Sequence, residues 1–222
     1  MVEVLLPGGG SILDDGSPRL WPSASRREPV PPEPVDLAEF LREEHHRYYG
    51  RPWILGRYYV DELIRRGVEP GDRVLDFGCG AGRVGGLLTA YLDADGYCGI
   101  DAHLRALTAF ARYECVFHGV EAKRPRLMFS DSFDVAAFGE QFDVVLDFYA
   151  TQHLVRPAEA FERIAQVCKP GARLFMPYAP NGGVEALMSL GFELAEVFEV
   201  TYPLLIGSGK QSTDTWRLFR RV

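Results

Sequence analysis

Asp76-Phe77-Gly78-Cys79-Gly80-Ala81-Gly82 sets an acidic side chain two residues before three alternating glycines. Glycines that lack a Cβ let the backbone come close to a ligand. A helix starting just beyond such a turn adds N–H groups and a partial positive charge suited to a carboxylate or phosphate. Asp101 lies 21 residues after Gly80, at the end of the apolar run Tyr97-Cys98-Gly99-Ile100. A carboxylate at that strand tip can accept both hydroxyl hydrogens of a ribose, so the pair of signals points to an adenosine-type nucleotide. Gly80-Ala81-Gly82-Arg83-Val84-Gly85 also fits the dinucleotide spacing G-x-G-x-x-G. The spacing by itself therefore leaves NAD and other adenosine cofactors open.

Other side chains carry weaker signals. His153 has the type of pKa that suits proton removal at neutral pH, and it is also a residue that can be structural. Asp131 and Asp147 stand at helix starts, where acids also serve as caps. His45 and His46 are adjacent on a helix, so they diverge by about 100° and do not chelate one metal. No metal site is expected. Tyr48, Tyr49, Trp53, Tyr58 and Tyr59 concentrate aromatic surface before the first strand. Most of it serves packing, with one or two rings over the pocket, where an electron-rich face attracts a cation.

These residues need a scaffold, and the pattern supplies one. From Arg73 onward short apolar strands alternate with helical stretches, the pattern of a parallel sheet covered on both faces. Strands are expected at 73–77, 96–100, 126–129, 142–147 and 172–176, with helices near 82–92, 104–116, 132–138, 157–168 and 184–190. Phe192–Val200 and Thr213–Arg220 read as two further strands joined by too short a loop for a crossover, hence antiparallel. Two helices precede the first strand, at 36–49 and 54–66. Residues 1–35, rich in Pro, Gly and Ser, read as a flexible arm, leaving 36–222 as one domain whose first part, 36–68, forms part of the substrate side. The fold class is α/β: a doubly wound, seven-stranded, mostly parallel sheet with an antiparallel C-terminal strand and helices on both faces.

Composition excludes several classes. With 222 residues and 47% hydrophobic content the chain supports one core. A net charge of −7 without a Lys/Arg-rich run argues against nucleic acid as partner. No apolar run nears the ~20 residues of a membrane span. The four cysteines, at 79, 98, 115 and 168, show neither zinc nor disulfide spacing, which fits a reducing cytoplasm.

Glu69–Gly82, Val167-Cys168-Lys169-Pro170-Gly171-Ala172-Arg173-Leu174, and Phe142–Asp147 followed by Gln152-His153-Leu154 resemble three motifs of the class I, Rossmann-like S-adenosyl-L-methionine-dependent methyltransferases. The resemblance covers roughly residues 54 to 220, including the terminal hairpin. It implies an enzyme moving a methyl group from S-adenosyl-L-methionine to a small-molecule O, N or C acceptor. It also implies roles for particular residues. Gly78 and Gly80, with Cys79 between them, lie against the methionine and ribose portion of the cofactor, and Asp76 faces its ammonium group. Asp101, beside Ala102, takes the ribose hydroxyls, and Asp131, beside Ser132, the adenine amino group. Phe148 neighbours the cofactor near its methyl, and Arg57 holds its carboxylate, with Arg51, Arg65 and Arg66 as competitors. Tyr49, Tyr149 and Tyr178 are assigned to the acceptor and His153 to catalysis as a base. Two rival readings stay open, an NAD-dependent oxidoreductase and a catalytically silent partner domain. Homodimer formation or association through the arm also stays open.

Overall fold

The computed structural model describes residues 2, 4–5, 53–203 and 209–222. The helix expected at 36–49, Tyr49, most of the arm and much of the hairpin loop lie outside the described residues.

Strand β2 (Val74–Phe77) is buried at every position, as a strand covered on both faces must be. Its side chains alternate between two cores: Val74 joins Leu63, Leu88 and Phe110 on one face, while Leu75 and Phe77 join Ile100, Phe161 and Leu174 on the other. β2 pairs in parallel with β3 (Tyr97–Asp101) on one side and with β5 (Phe142–Leu146) on the other. β4 (Arg126–Phe129) continues past β3, and β6 (Cys168–Met176) past β5. The ending is antiparallel as expected: β8 (Gln211–Arg221) inserts between β6 and β7 (Phe192–Pro203), opposing both.

Among the described residues the sheet has eight strands rather than seven, in the order β1 (Val4–Leu5)-β4-β3-β2-β5-β6-β8-β7. The addition is β1 (Val4–Leu5), parallel to β4 with Val4 opposite Leu127. Val2-x-Val4 reads as tail by composition, but both valines are buried against the sheet edge, so apolar burial overrides the Gly/Pro character of the residues after them.

α1 (Leu55–Arg65) follows from apolar residues at helical spacing, Leu55, Tyr59 and Leu63, all buried. α2 (Gly85–Tyr91), α3 (Leu104–Ala109), α4 (Pro157–Val167) and α5 (Gly183–Ser189) follow their strands. α3 runs on through a π-helical turn at Phe110–Glu114 and a last turn at Cys115–Phe117. The helix expected at 132–138 is only a single 3-10 turn, Val135–Phe138. Phe133 has φ +54°, and the Ser130 hydroxyl takes the Asp134 N–H, which ends any earlier helical hydrogen bonding. β6 begins at Cys168 rather than 172, its first pair displaced by a register shift in β5 between Phe142 and Val144.

Between β2 and β5 the strand order reverses, β3 and β4 lying to one side and β6 to the other. In open α/β sheets a crevice forms at that point, outside the carboxyl ends of the strands.

Candidate functional site

A cavity of about 770 Å³ occupies this crevice. The glycine turn after β2 forms its floor. Gly78, Gly80 and Gly82 all have positive φ. At Gly78, φ is +79° and an added Cβ would stand 2.2 Å from the Ala150 Cβ, so the turn after β2 meets the segment after β5 only because that atom is missing.

Two carboxylates face the turn. Asp76 is 2% exposed and accepts a 2.6 Å hydrogen bond from the Tyr97 hydroxyl. Burial pushes its pKa up from 3.8 to about 7, the Tyr97 bond opposes this, and the charges of Asp101 and Asp147 add to it. No cation among the described residues figures in the groups acting on it. Asp101, at the tip of β3, accepts from the Gly80 N–H at 2.8 Å through one oxygen and from the His103 N–H at 2.7 Å through the other. It therefore ties the glycine turn to the start of α3. Burial raises its pKa to about 6 against those backbone bonds. Each oxygen of an ionised carboxylate offers about two acceptor positions, so these bonds leave capacity for ligand hydroxyls.

Cys79 lines the same wall, and burial, followed by the charges of Asp76 and Asp101, pushes its thiol well above its ordinary value. A thiol held protonated is a small apolar surface here and not a nucleophile.

Part of the lining is aromatic: Phe148 and Tyr149 follow β5, Tyr59 comes from α1, and Phe133 and Tyr178 join them. Phe148 is clamped by Tyr59 and Trp216, with ring centroids 5.0 and 4.9 Å away. Tyr149 has φ +71°. A non-glycine residue in that region costs about 1–3 kcal/mol, a strain that persists only where surroundings fix it and that concentrates at ligand sites.

The structure thus gathers Asp76, Gly78, Cys79, Gly80, Asp101, Ala102, Phe148, Tyr149, His153 and Tyr178 around one cavity. His153, itself exposed, ends the turn Thr151–His153 in the cavity lining, its Nε2 3.1 Å from Gln152 Nε2. Three assigned residues, Arg57, Asp131 and Ser132, are not among those lining the cavity. Arg57 lies on the exposed side of α1 in an ion pair with Asp61 at 3.1 Å. Asp131 and Ser132 are exposed and outside the cavity lining. Asp147 is fully buried and caps the next turn, accepting from the Ala150 and Thr151 N–H groups and the Thr151 hydroxyl.

Of the aromatic group before the first strand, Tyr59 lines the cavity; sequence reasoning missed Arg83, His103, Phe133 and Leu55. Arg83 directly follows the glycine turn and His103 comes two residues after Asp101, so adjacency to the motif residues was the available signal. The Arg83 guanidinium lies 5.6 Å from the Trp53 ring centroid. His103 caps α3, its Nδ1 accepting from the Ala106 N–H at 3.2 Å, which makes Nε2 the protonated nitrogen of the neutral ring. Among the described residues no His, Cys, Asp or Glu group is arranged to hold a metal ion, and no helix is long and apolar enough to cross a membrane.

Residues 75–174 match the family model described as a methyltransferase domain. Over 156 residues the chain is 33% identical to the ubiquinone biosynthesis O-methyltransferase of Hahella chejuensis, covering 66% of this chain and 63% of that protein. The match therefore spans less than two thirds of the relative's length. Among solved structures, the magnesium protoporphyrin IX methyltransferase of Synechocystis PCC 6803 with bound SAM superposes with a TM-score of 0.59 at 18% identity, covering 86% of each chain. The cyclase SpnF does so at 0.57 and 17% identity, covering 75% of this chain and 80% of its own. At such identities the likeness establishes the fold and leaves the reaction to the site.

Proposed function

Because the chain is a member of the class I S-adenosyl-L-methionine-dependent methyltransferases, we propose that it transfers a methyl group from this cofactor to a small-molecule acceptor. The observation that carries the reading is Asp76: a buried carboxylate, without a cation acting on it among the described residues, faces a cavity whose neighbouring acid, Asp101, is placed for a ribose. A ligand bringing an ammonium group and a ribose matches that donor set and supplies the missing countercharge.

When bound, the cofactor supplies a methyl group already activated on a sulfonium. The chain's own work is binding, alignment and exclusion of water. Asp76 orients the ammonium group and Asp101 the ribose hydroxyls. Arg83, inside the cavity wall, takes the carboxylate in place of Arg57. Its planar fork suits bidentate contact with a carboxylate. The aromatic wall of Phe148, Tyr149 and Tyr59 receives the acceptor and favours positive charge beside it. Asp131 and Ser132 would reach the adenine only by a rearrangement of their loop. His153, exposed in the lining, would act as a base only on an acceptor that reaches its side of the cavity.

Thermal stabilisation by S-adenosylhomocysteine and by NADH separates this reading from a nucleotide oxidoreductase. S-adenosylhomocysteine is expected to raise Tm and NADH to leave it unchanged; protection by NADH alone would defeat the proposal. A cyclase shares the fold, so binding is followed by a screen of small acceptors with labelled methyl donor. Bound cofactor with no methyl transfer across the screen favours a silent domain.

A further inference from the structure

We propose that Tyr97 is a positioning residue for the cofactor's ammonium group: its hydroxyl, reaching beneath the glycine turn through the gap left by Gly85, fixes the Asp76 carboxylate as the receptor for that group. This rests on the methyltransferase reading and deepens it by naming how the receptor is held.

The sheet register brings the two residues together. In the parallel pair of β2 and β3, Asp76 stands opposite Gly99, and Tyr97 comes two residues before Gly99 on the same face. Gly99 has no side chain to put there; an added Cβ would stand 3.1 Å from the Tyr97 ring and 2.8 Å from the Cys79 Sγ. The ring therefore crosses that position, and the hydroxyl donates to Asp76 Oδ2 at 2.6 Å. Tyr97 is 1% exposed and is not among the residues lining the cavity, so it acts on a ligand there only through Asp76. Asp76 does line the cavity, and its Oδ1 makes no hydrogen bond among the described residues.

Two further residues keep the hydroxyl in place. Gly85 opens α2, and a Cβ on it would lie 2.3 Å from the Tyr97 hydroxyl and 2.5 Å from the Phe110 ring. Phe110 begins the π-helical turn and packs edge-on against Tyr97 with centroids 5.7 Å apart. Its ring also fills the space that a Cβ on Gly82 would need. Gly85 is the last glycine of the dinucleotide-like spacing, and the room it leaves is taken by a tyrosine of the chain itself. That glycine thus has a use that requires no pyrophosphate.

The bond also acts on charge. A hydroxyl donating to a carboxylate favours its ionised form, opposing the burial that raises Asp76 to about 7. Burial, followed by the charge of Asp76, pushes the Tyr97 hydroxyl well above the ordinary tyrosine value, so it stays a donor throughout the neutral range. The other titratable groups acting on Asp76 are Asp101 at the tip of β3 and Asp147 after β5, and both raise it. The Cys79 thiol of the turn is held protonated, and Arg83 and His103 share the cavity lining. Among the described residues Tyr97 is the one hydrogen-bond donor to this carboxylate.

Tyr97→Phe keeps the ring and removes the donor. Losing a hydrogen bond to a charged group should raise the pH at which Asp76 ionises by about 1–2 units. The test measures calorimetric affinity of the full chain for S-adenosylhomocysteine from pH 6 to 8.5. If the ligand binds the ionised form, the variant should be roughly 10- to 100-fold weaker than wild type at pH 6 and within about fivefold of it at pH 8.5. Asp101 titrates in both proteins and cancels in that ratio. In the Asp76→Asn background the same substitution should change affinity by a factor independent of pH. Thermal melts without ligand give a second readout. The folded variant holds the Asp76 proton to higher pH than folded wild type, so the gap in Tm between them should be small at pH 6 and widen toward pH 8.5. An affinity ratio that stays constant over this range, a Tm gap that does not widen, or a ratio that still varies with pH in the Asp76→Asn background overturns the proposal. Failure of wild type to bind S-adenosylhomocysteine instead overturns the methyltransferase reading and the ammonium assignment with it, while the melts still decide whether Tyr97 holds the charge of Asp76.

Discussion

Replacing Asp76 by Asn is expected to move stability and cofactor affinity in opposite directions. Burial raises the Asp76 pKa from 3.8 to about 7, with the Asp101 and Asp147 charges adding and the Tyr97 hydrogen bond opposing. Between those values the folded chain holds this proton and the unfolded chain has lost it, so stability is greatest below the unfolded value and declines as pH rises through about 7. At ~1.36 kcal/mol per pH unit the displacement corresponds to about 4 kcal/mol, fully felt above pH 7. Asn retains an acceptor for the Tyr97 hydroxyl, which is 2.6 Å away, and removes the charge. Without ligand the variant should therefore be more stable than wild type at pH 8, by several degrees in Tm, with the difference closing toward pH 4. The same change removes the partner of the cofactor's ammonium group, and a charged hydrogen bond of about 1.5–3 kcal/mol predicts roughly 10- to 150-fold weaker binding of S-adenosylhomocysteine. Thermal melts from pH 4 to 8 and isothermal calorimetry at pH 8 measure the two effects. A variant less stable than wild type at pH 8, or one that binds the ligand equally well, would refute the buried-charge argument.

Asp101→Ala should weaken S-adenosylhomocysteine binding by at least tenfold in calorimetry, since the ribose contact and the tie to the Gly80 and His103 N–H groups vanish together; unchanged affinity removes the ribose assignment. Gly78→Ala forces a Cβ to 2.2 Å from that of Ala150 at φ +79°, so chemical denaturation should show a loss of about 1–3 kcal/mol along with weaker ligand binding. Asp147→Ala strips the acceptor from two backbone N–H groups and the Thr151 hydroxyl, and each stranded buried donor costs about 1–3 kcal/mol. Tm should fall, while the variant at a temperature where it is folded binds S-adenosylhomocysteine within about threefold of wild type. A selective loss of binding would place Asp147 in the site.

The strands that carry the site were legible because each is apolar on both faces, and such runs stand out between amphipathic helices. Val74–Phe77 is buried throughout and Asp101 ends β3 as its apolar run implies. Features that depend on a single backbone angle or on a distant partner were not legible. The turn at Val135–Phe138 replaces a helix because Phe133 adopts φ +54° and Ser130 bonds to the Asp134 N–H, and neither is a matter of periodicity. Val4 and Leu5 supply an edge strand, with Val2 buried beside it, although the composition that follows favours a solvated arm.

The lining residues near the glycine turn and Asp101 were legible in the local sequence, since they sit within a few positions of those motifs. Arg57 and Arg83 show the limit of reasoning from position on a helix. Arg57 is on α1, the helix expected to carry the contact, yet the helical phase turns it outward to Asp61 four residues on. Arg83 enters the cavity because it follows directly on the glycine turn. The aromatic part of the cavity lining is assembled across the fold. Tyr59 and Asp214 are 155 residues apart and meet only because β8 inserts between β6 and β7, bringing the hairpin back under α1. Contacts of this kind are set by the topology of the sheet, so no local motif announces them.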